Sequence, residues 1–213
     1  MTLHLRYTLP SPPATTISGA SNAFVVRPFG IAIHGANTST AIAHSSDHNG
    51  AILAAAGDPF TMTLAAYKWA SALEDANANG VPDFANGDVV DITNNGLTPS
   101  FAADVSLSAI SSIPTVALGE IRRGASCLPA TGTVSAASWS GGSVTINDAC
   151  YTEAGNVKIA VFATDYIVPG GGISVFGLSS FDGTGFTGGH VGRFRPRHFA
   201  VSAASVAHRQ GAS

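Results

Sequence analysis

Charge is scarce in this chain: charged residues make up 11% of its 213 positions, against about 25% in an average soluble domain. With a net charge of −3 and only two lysines, Lys68 and Lys158, there is no basic field for a polyanion to find, which excludes nucleic acid as an expected partner. No apolar run reaches the roughly 18 residues of a membrane-spanning helix, so no span is expected in this stretch. Met1 to Arg6 lacks the charged, apolar and small-residue order of a signal peptide; an export signal is expected upstream. Strong helix caps followed by amphipathic periods are missing throughout.

Catalytic patterns are equally sparse. No GxSxG elbow appears, and Gly183-Thr184-Gly185-Phe186-Thr187-Gly188 matches the GxGxxG string by letter without a following helix or a later acid. His44, Asp47 and His48 would converge on a metal only if helical, and Gly50 with its polar neighbours points to a loop. Glu74, Glu120, Glu153, Asp165 and Asp182 are acids, but no spacing selects a glycosidase pair among them. The chain is therefore read as a non-enzyme.

What is abundant is Gly, Ala, Ser and Thr, with apolar residues at period two. Phe60, Met62, Leu64 and Ala66 share one face of an extended run, with Thr61, Thr63 and Ala65 opposite, although Leu64 to Leu73 also fits a helix. Phe101 to Ala109 and Val157 to Ala163 alternate in the same way. Short alternating segments between Gly, Pro, Asn and Asp turns predict an all-β fold, an immunoglobulin-like β-sandwich with insertions and room for two sub-modules. Thr133 to Trp139 and Ser143 to Ile146 read as a hairpin around Gly141-Gly142.

Two segments suggest the domain plan. Phe24-Val25-Val26-Arg27-Pro28-Phe29 and Val191-Gly192-Arg193-Phe194-Arg195-Pro196 each set an Arg-Pro beside a Phe and an apolar run, as first strands after a junction do. Residues 1–21, rich in Pro, Ser and Thr, read as linker; 22–190 as the sandwich module; 191–213 as the opening strand of a following module. Neighbouring domains of a longer chain are thus the expected partners.

Cys127 and Cys150 flank the expected hairpin, and a bridge between them would close a loop of about 24 residues, worth on the order of 3 kcal/mol in the chain-entropy model. Two buried free thiols are the alternative.

Asp75, Asn77, Asn79 and Asp83 space side-chain oxygens at positions 1, 3, 5 and 9 of a loop, with the carbonyl of Val81 at position 7. That is a weak candidate Ca²⁺ site, because Asn86 stands where a bidentate Glu belongs and two ligands are neutral amides. Asp88 or Asp91 would be needed to complete it, and an Asx-rich turn satisfying its own backbone is the alternative. Trp69, Trp139, Tyr151 and Tyr166 are candidate sugar-stacking faces or core residues. Arg193, Arg195 and Arg197, with His198, form a basic cluster whose alternation sets the arginines on one strand face, as an interaction surface or a solvated one.

Phe24 to Phe29, Ala56 to Leu64, Asp75 to Asp83, Tyr151-Thr152-Glu153-Ala154-Gly155 and Val191 to Val201 together resemble the C-terminal region of MshQ-like proteins, in matching order over most of residues 22–201. The resemblance departs at Asn77-Ala78-Asn79, where such proteins commonly carry an acid or Gly-Asp, and at Arg197, where they carry an acid. It implies a surface-associated, extracellular or outer-membrane-associated protein of a Gram-negative bacterium, linked to biogenesis of the mannose-sensitive haemagglutinin (MSHA) type IV pilus. Pilus components and surface glycans would then be partners, and no catalytic residues carry over. The functional expectation is a structural spacer or adhesion surface, with a calcium-dependent carbohydrate-binding module as the alternative.

Overall fold

The computed structural model describes residues 2–9, 15–22, 26–43, 50–76, 78, 80, 82, 91–115, 118–124, 126–127, 132–164, 166, 174–179 and 189–199. Within them the chain is all-β and sandwich-like. The strands are β1 (His4–Leu9), β2 (Thr15–Ala20), β3 (Gly30–His34), β4 (Ala54–Ala55), β5 (Phe60–Tyr67), β6 (Val105–Ile113), β7 (Ile121–Arg123), β8 (Thr133–Val134), β9 (Ser143–Tyr151), β10 (Gly155–Ala163), β11 (Val175–Ser179) and β12 (Val191–Arg195). The only helical pieces among the described residues are short 3₁₀ turns at Ala72–Glu74 and Ala136–Ser138.

Ten strands form one sheet in the order β4-β12-β10-β11-β3-β5-β9-β7, with β6 on the other edge of β10 and β8 on β6. β10 is the pivot, because one edge pairs with β6 over Asn156–Phe162 while the other is shared by β12 near its start and β11 near its end. The period-two residues explain the packing. Phe60, Met62, Leu64 and Ala66 of β5 meet Val157, Ile159, Val161 and Ala163 of β10 in one core that also takes Ile31, Ile33, Ile146, Tyr151 and Phe194. The sheet thus folds over on itself, and β7 nears β6 where Gly132 sits between them; a Cβ there would lie 2.7 Å from the carbonyl oxygen of Ile121.

The outer face of β3, β5, β10 and β11 is also covered. Ala32, Ala65, Tyr67, Ala160 and Leu178 form a second apolar cluster with Phe29 and Ile92. This is why both faces of β5 are buried; Leu64 to Tyr67 belong to that strand, so the helical reading of Leu64 to Leu73 fails there, and only the short 3₁₀ turn Ala72–Glu74 follows.

Other expectations are corrected by the pairing. Thr133–Val134 pairs with Val105–Ser106 of β6 rather than with β9, so the Gly141-Gly142 turn carries only a bridge between Ser140 and Ser143. Both glycines have positive φ, 60° and 83°, so the turn itself is where the dipeptide placed it. Val191–Arg195, read as the opening of a following module, is a strand of this sheet: Phe194 pairs with Ala54 and packs edge-on to Phe60 with centroids 5.2 Å apart. The residues read as linker include an antiparallel pair, β1 with β2, in register from His4↔Ala20 to Leu9↔Thr15. They build no core, because Leu3, Leu5, Tyr7 and Ile17 all remain exposed. Among the described residues no helix is long and apolar enough to cross a membrane.

Candidate functional site

A groove of about 500 Å³ lies where β3 begins and β5 ends, lined by Arg27, Phe29, Trp69, Asp75, Ala78 and Gly80 among others. Its volume lies within the range of small-molecule sites, about 300–1,000 Å³. Of the four aromatic residues considered for sugar stacking, Trp69 alone keeps a large open surface, at 56% exposure. Trp139 and Tyr151 are core residues, and Tyr166 packs on Phe101 with centroids 5.1 Å apart.

Local chemistry fixes Trp69 in place. The Lys68 N–H donates to Gly96 O at 2.9 Å, and the Lys68 carbonyl accepts from Asn95 Nδ2 at 2.9 Å. Ser71 then caps the 3₁₀ turn, its Oγ accepting from Leu73 N. Glu74, buried at the end of that turn, reaches back to the Ala70 N–H at 3.3 Å and the Asn95 amide at 3.0 Å. The backbone is thereby held on both sides of Trp69, which reduces the ordering cost of stacking a ligand on its ring.

Across the groove the Gly80 peptide is held from two directions. Its N–H donates to Asp75 Oδ2 at 2.8 Å, and its carbonyl accepts from Arg27 Nη2 at 2.6 Å. The other guanidinium nitrogen, Nη1, donates to Ser174 O at 2.8 Å, so Arg27 ties the start of β3 to two distant loops. Asp75 is the one member of the candidate calcium set that the structure describes, and its carboxylate accepts the N–H of Gly80 five residues on; Asn77, Asn79, Val81, Asp83 and Asp88 lie outside the described residues. Asp91 accepts from both N and Oγ1 of Thr93. Among the described residues no three His, Cys, Asp or Glu side chains gather as a metal site would require.

Cys127 and Cys150 form the disulfide, with Cα atoms 5.9 Å apart. Cys150 lies in β9 opposite Arg122 of β7, and Arg122 Nη1 donates to the Cys127 carbonyl at 3.3 Å, so the bridge fastens the following loop to that edge. Arg123 adds two bonds to Asp148 Oδ1 of β9 and one to Thr133 O of β8.

The arginine cluster is split. Arg193 and Arg195 belong to β12, the first partly buried and the second exposed, while Arg197 lies past the strand with its Nε 3.6 Å from Asp58 Oδ1. The single strand face expected for all three is therefore shortened to two residues. Glu120 bonds Arg122 at 2.8 Å and Glu74 its own turn, so each acid serves a local network. His44, Asp47 and His48, the Gly183–Gly188 string, Asp165 and Asp182 lie outside the described residues.

A buried polar pair went unnoticed in the sequence. His34 Nε2 and Tyr67 Oη share a hydrogen bond at 2.9 Å beside the second apolar cluster. Burial lowers the His34 pKa, partly opposed by Asp91, and burial with the nearby Asp91 charge pushes Tyr67 up to about 12. His190, 3.2 Å from Ser111 Oγ, is lowered by burial and then by Lys158. The signal available was strand parity: Thr63, opposite His34, and Tyr67, opposite Gly30, share one face of β5, and using it needs the β3–β5 register.

Among known proteins, no curated protein and no solved structure shows a significant match to the chain. Residues 27–118, which carry β3 to β6 and the groove residues from Arg27 to Gly80, match the family described as DUF6701, second domain.

Proposed function

We propose that this chain is a non-enzymatic extracellular module of a pilus-associated surface protein of the MSHA biogenesis type, serving as a spacer or an interaction surface. The observation that carries this reading is the Cys127–Cys150 disulfide inside an all-β body, since such bridges persist in oxidising compartments. The family description, which counts its domain as a second one, supports a place within a multi-domain chain. The low charge favours a surface solvated by hydroxyls and backbone. The test is to express the parent protein with an epitope beside this module in a Gram-negative host, then measure antibody access on intact cells and haemagglutination with and without the module. A cytoplasmic, reduced module would refute the proposal; surface access with altered agglutination would support adhesion, and surface access with unchanged agglutination the spacer.

A second reading, carbohydrate binding, is favoured by one observation: the backbone-pinned, exposed Trp69 opens onto a groove that also holds Asp75 and Arg27. Calcium at the Asp75 loop belongs to this reading as a condition to vary. Glycan screening with added calcium and in chelator tests it, and silence in both would remove it.

A further inference from the structure

The antiparallel pair β1 and β2 forms a sheet of its own, and its two faces differ in chemistry. Tyr7 lies opposite Ile17 and Leu5 opposite Gly19, so these residues share one face, and Leu3, one residue before β1, falls on it by the same alternation. That face carries no charge and leaves Leu3, Leu5, Tyr7 and Ile17 at 56–75% exposure. The opposite face sets His4, Arg6, Thr8, Thr16 and Ser18 in solvent, with the Thr8 and Thr16 hydroxyls 3.3 Å apart. Such alternation is the mark of an antiparallel sheet that packs on one side and is solvated on the other. Among the described residues, no third strand joins the pair and neither apolar cluster takes a side chain from it.

Resting only on the multi-domain part of the function proposed above, we propose that β1 and β2 are the closing hairpin of the domain that precedes this body in the parent protein. The apolar face is then covered by an uncharged strand face of that domain.

Two observations choose this occupant. The family match begins at Arg27 and is described as a second domain, so a first domain lies on the N-terminal side in that family. The hairpin falls outside the match on that same side, with only residues 21–26 between β2 and the matched region.

The second observation is the size of the face. Another copy of the chain is the rival occupant, because an uncharged apolar face is self-complementary. At these exposures each of the four side chains has on the order of 100 Å² left to bury, so two hairpins stacked face to face would hide about 800 Å². Stable association of separate molecules needs roughly 1,200 Å² or more, whereas domain contacts within one chain start from about 600 Å², because the partner is tethered. The area therefore selects a covalently linked partner. A two-stranded hairpin is also marginal in water by itself, and a cover on this face gives it a lasting structure.

The experiment compares the 213-residue chain with the parent protein carrying the preceding domain, by hydrogen exchange, sedimentation velocity and thermal melts. The 213-residue chain should sediment as a monomer, with rapid exchange at residues 4–9 and 15–20. In the parent those amides should slow by at least about tenfold, the scale of burying one leucine. Leu5→Asp in the parent should remove that protection and lower the melting transition of the first domain, while Ser18→Asp on the solvated face leaves both in place. In the 213-residue chain Leu5→Asp should leave the midpoint unmoved, so a loss in the parent cannot come from this body. A hairpin still unprotected in the parent, a dimer of the 213-residue chain dispersed by Leu5→Asp, or a midpoint of that chain lowered by Leu5→Asp would each overturn the inference. A parent found in the cytoplasm with a protected hairpin would refute the proposed location and leave the hairpin's partner as inferred.

Discussion

Breaking the Cys127–Cys150 bridge gives a quantitative check on the energetics of this fold. The bridge spans a sequence separation of 23. Chain-entropy arithmetic for such a loop gives about 3 kcal/mol of stabilisation, acting mainly by restricting the unfolded chain. For a chain of this size, each kcal/mol moves the midpoint by roughly 2–4 °C, so reduction should lower it by about 6–12 °C. The effect should also be local, because the bridge joins β9 to the loop after β7, an edge otherwise held by Arg122 and Arg123. Amides of β7 and β8 should therefore lose exchange protection before those of β5 and β10. The assay is a thermal melt of oxidised protein, reduced protein and the Cys127→Ala variant. That variant leaves fully buried Cys150 in place as a small apolar side chain, so the core stays filled. Reduced wild type and Cys127→Ala should melt together. If reduction shifts the midpoint by less than about 2 °C, loop entropy does not govern this edge and the reasoning is refuted.

The remaining predictions concern the sheet and its buried polar pair. His34 and His190 both have lowered pKa values, so the folded state favours neutral imidazole and the unfolded chain takes up protons first. Stability should hold above pH 6.5 and fall as pH drops below it through the lowered folded values; melts from pH 7.5 to 5 should show this, and a His34→Gln variant should flatten the slope. Tyr67→Phe removes the partner of His34 Nε2 and should cost about 1–3 kcal/mol in denaturant unfolding. Ultraviolet titration should find the Tyr67 phenol ionising near pH 12, above exposed tyrosines. Gly177→Ala should destabilise the chain by at least about 1–3 kcal/mol, because the new methyl meets the Ile31 carbonyl and Val161 across β11, whereas Gly57→Ala, with open space around it but a φ of 80°, should cost about 1 kcal/mol.

Alternation alone specified the β class, since Phe60, Met62, Leu64 and Ala66, and Val157 to Ala163, can bury a common face only as strands. The cysteine pair was legible too, as two cysteines in a weakly charged β chain have few other uses. Strand partners were not legible. Thr133–Val134 looked like half of a hairpin with the next strand and instead pairs with β6; Val191–Arg195 looked like a beginning and instead lies between β10 and β4. Pairing depends on which edges meet after the sheet folds over, a long-range outcome that local periodicity does not encode. The same holds for the groove. Sequence marked Trp69, Arg27 and Asp75 only separately or not at all, and long-range hydrogen bonds from Arg27 to Gly80 and Ser174, with Asn95 under Lys68, are what set them around one space. Residue chemistry therefore determined what each segment could become, and tertiary contacts between segments far apart in the chain decided which residues share a site.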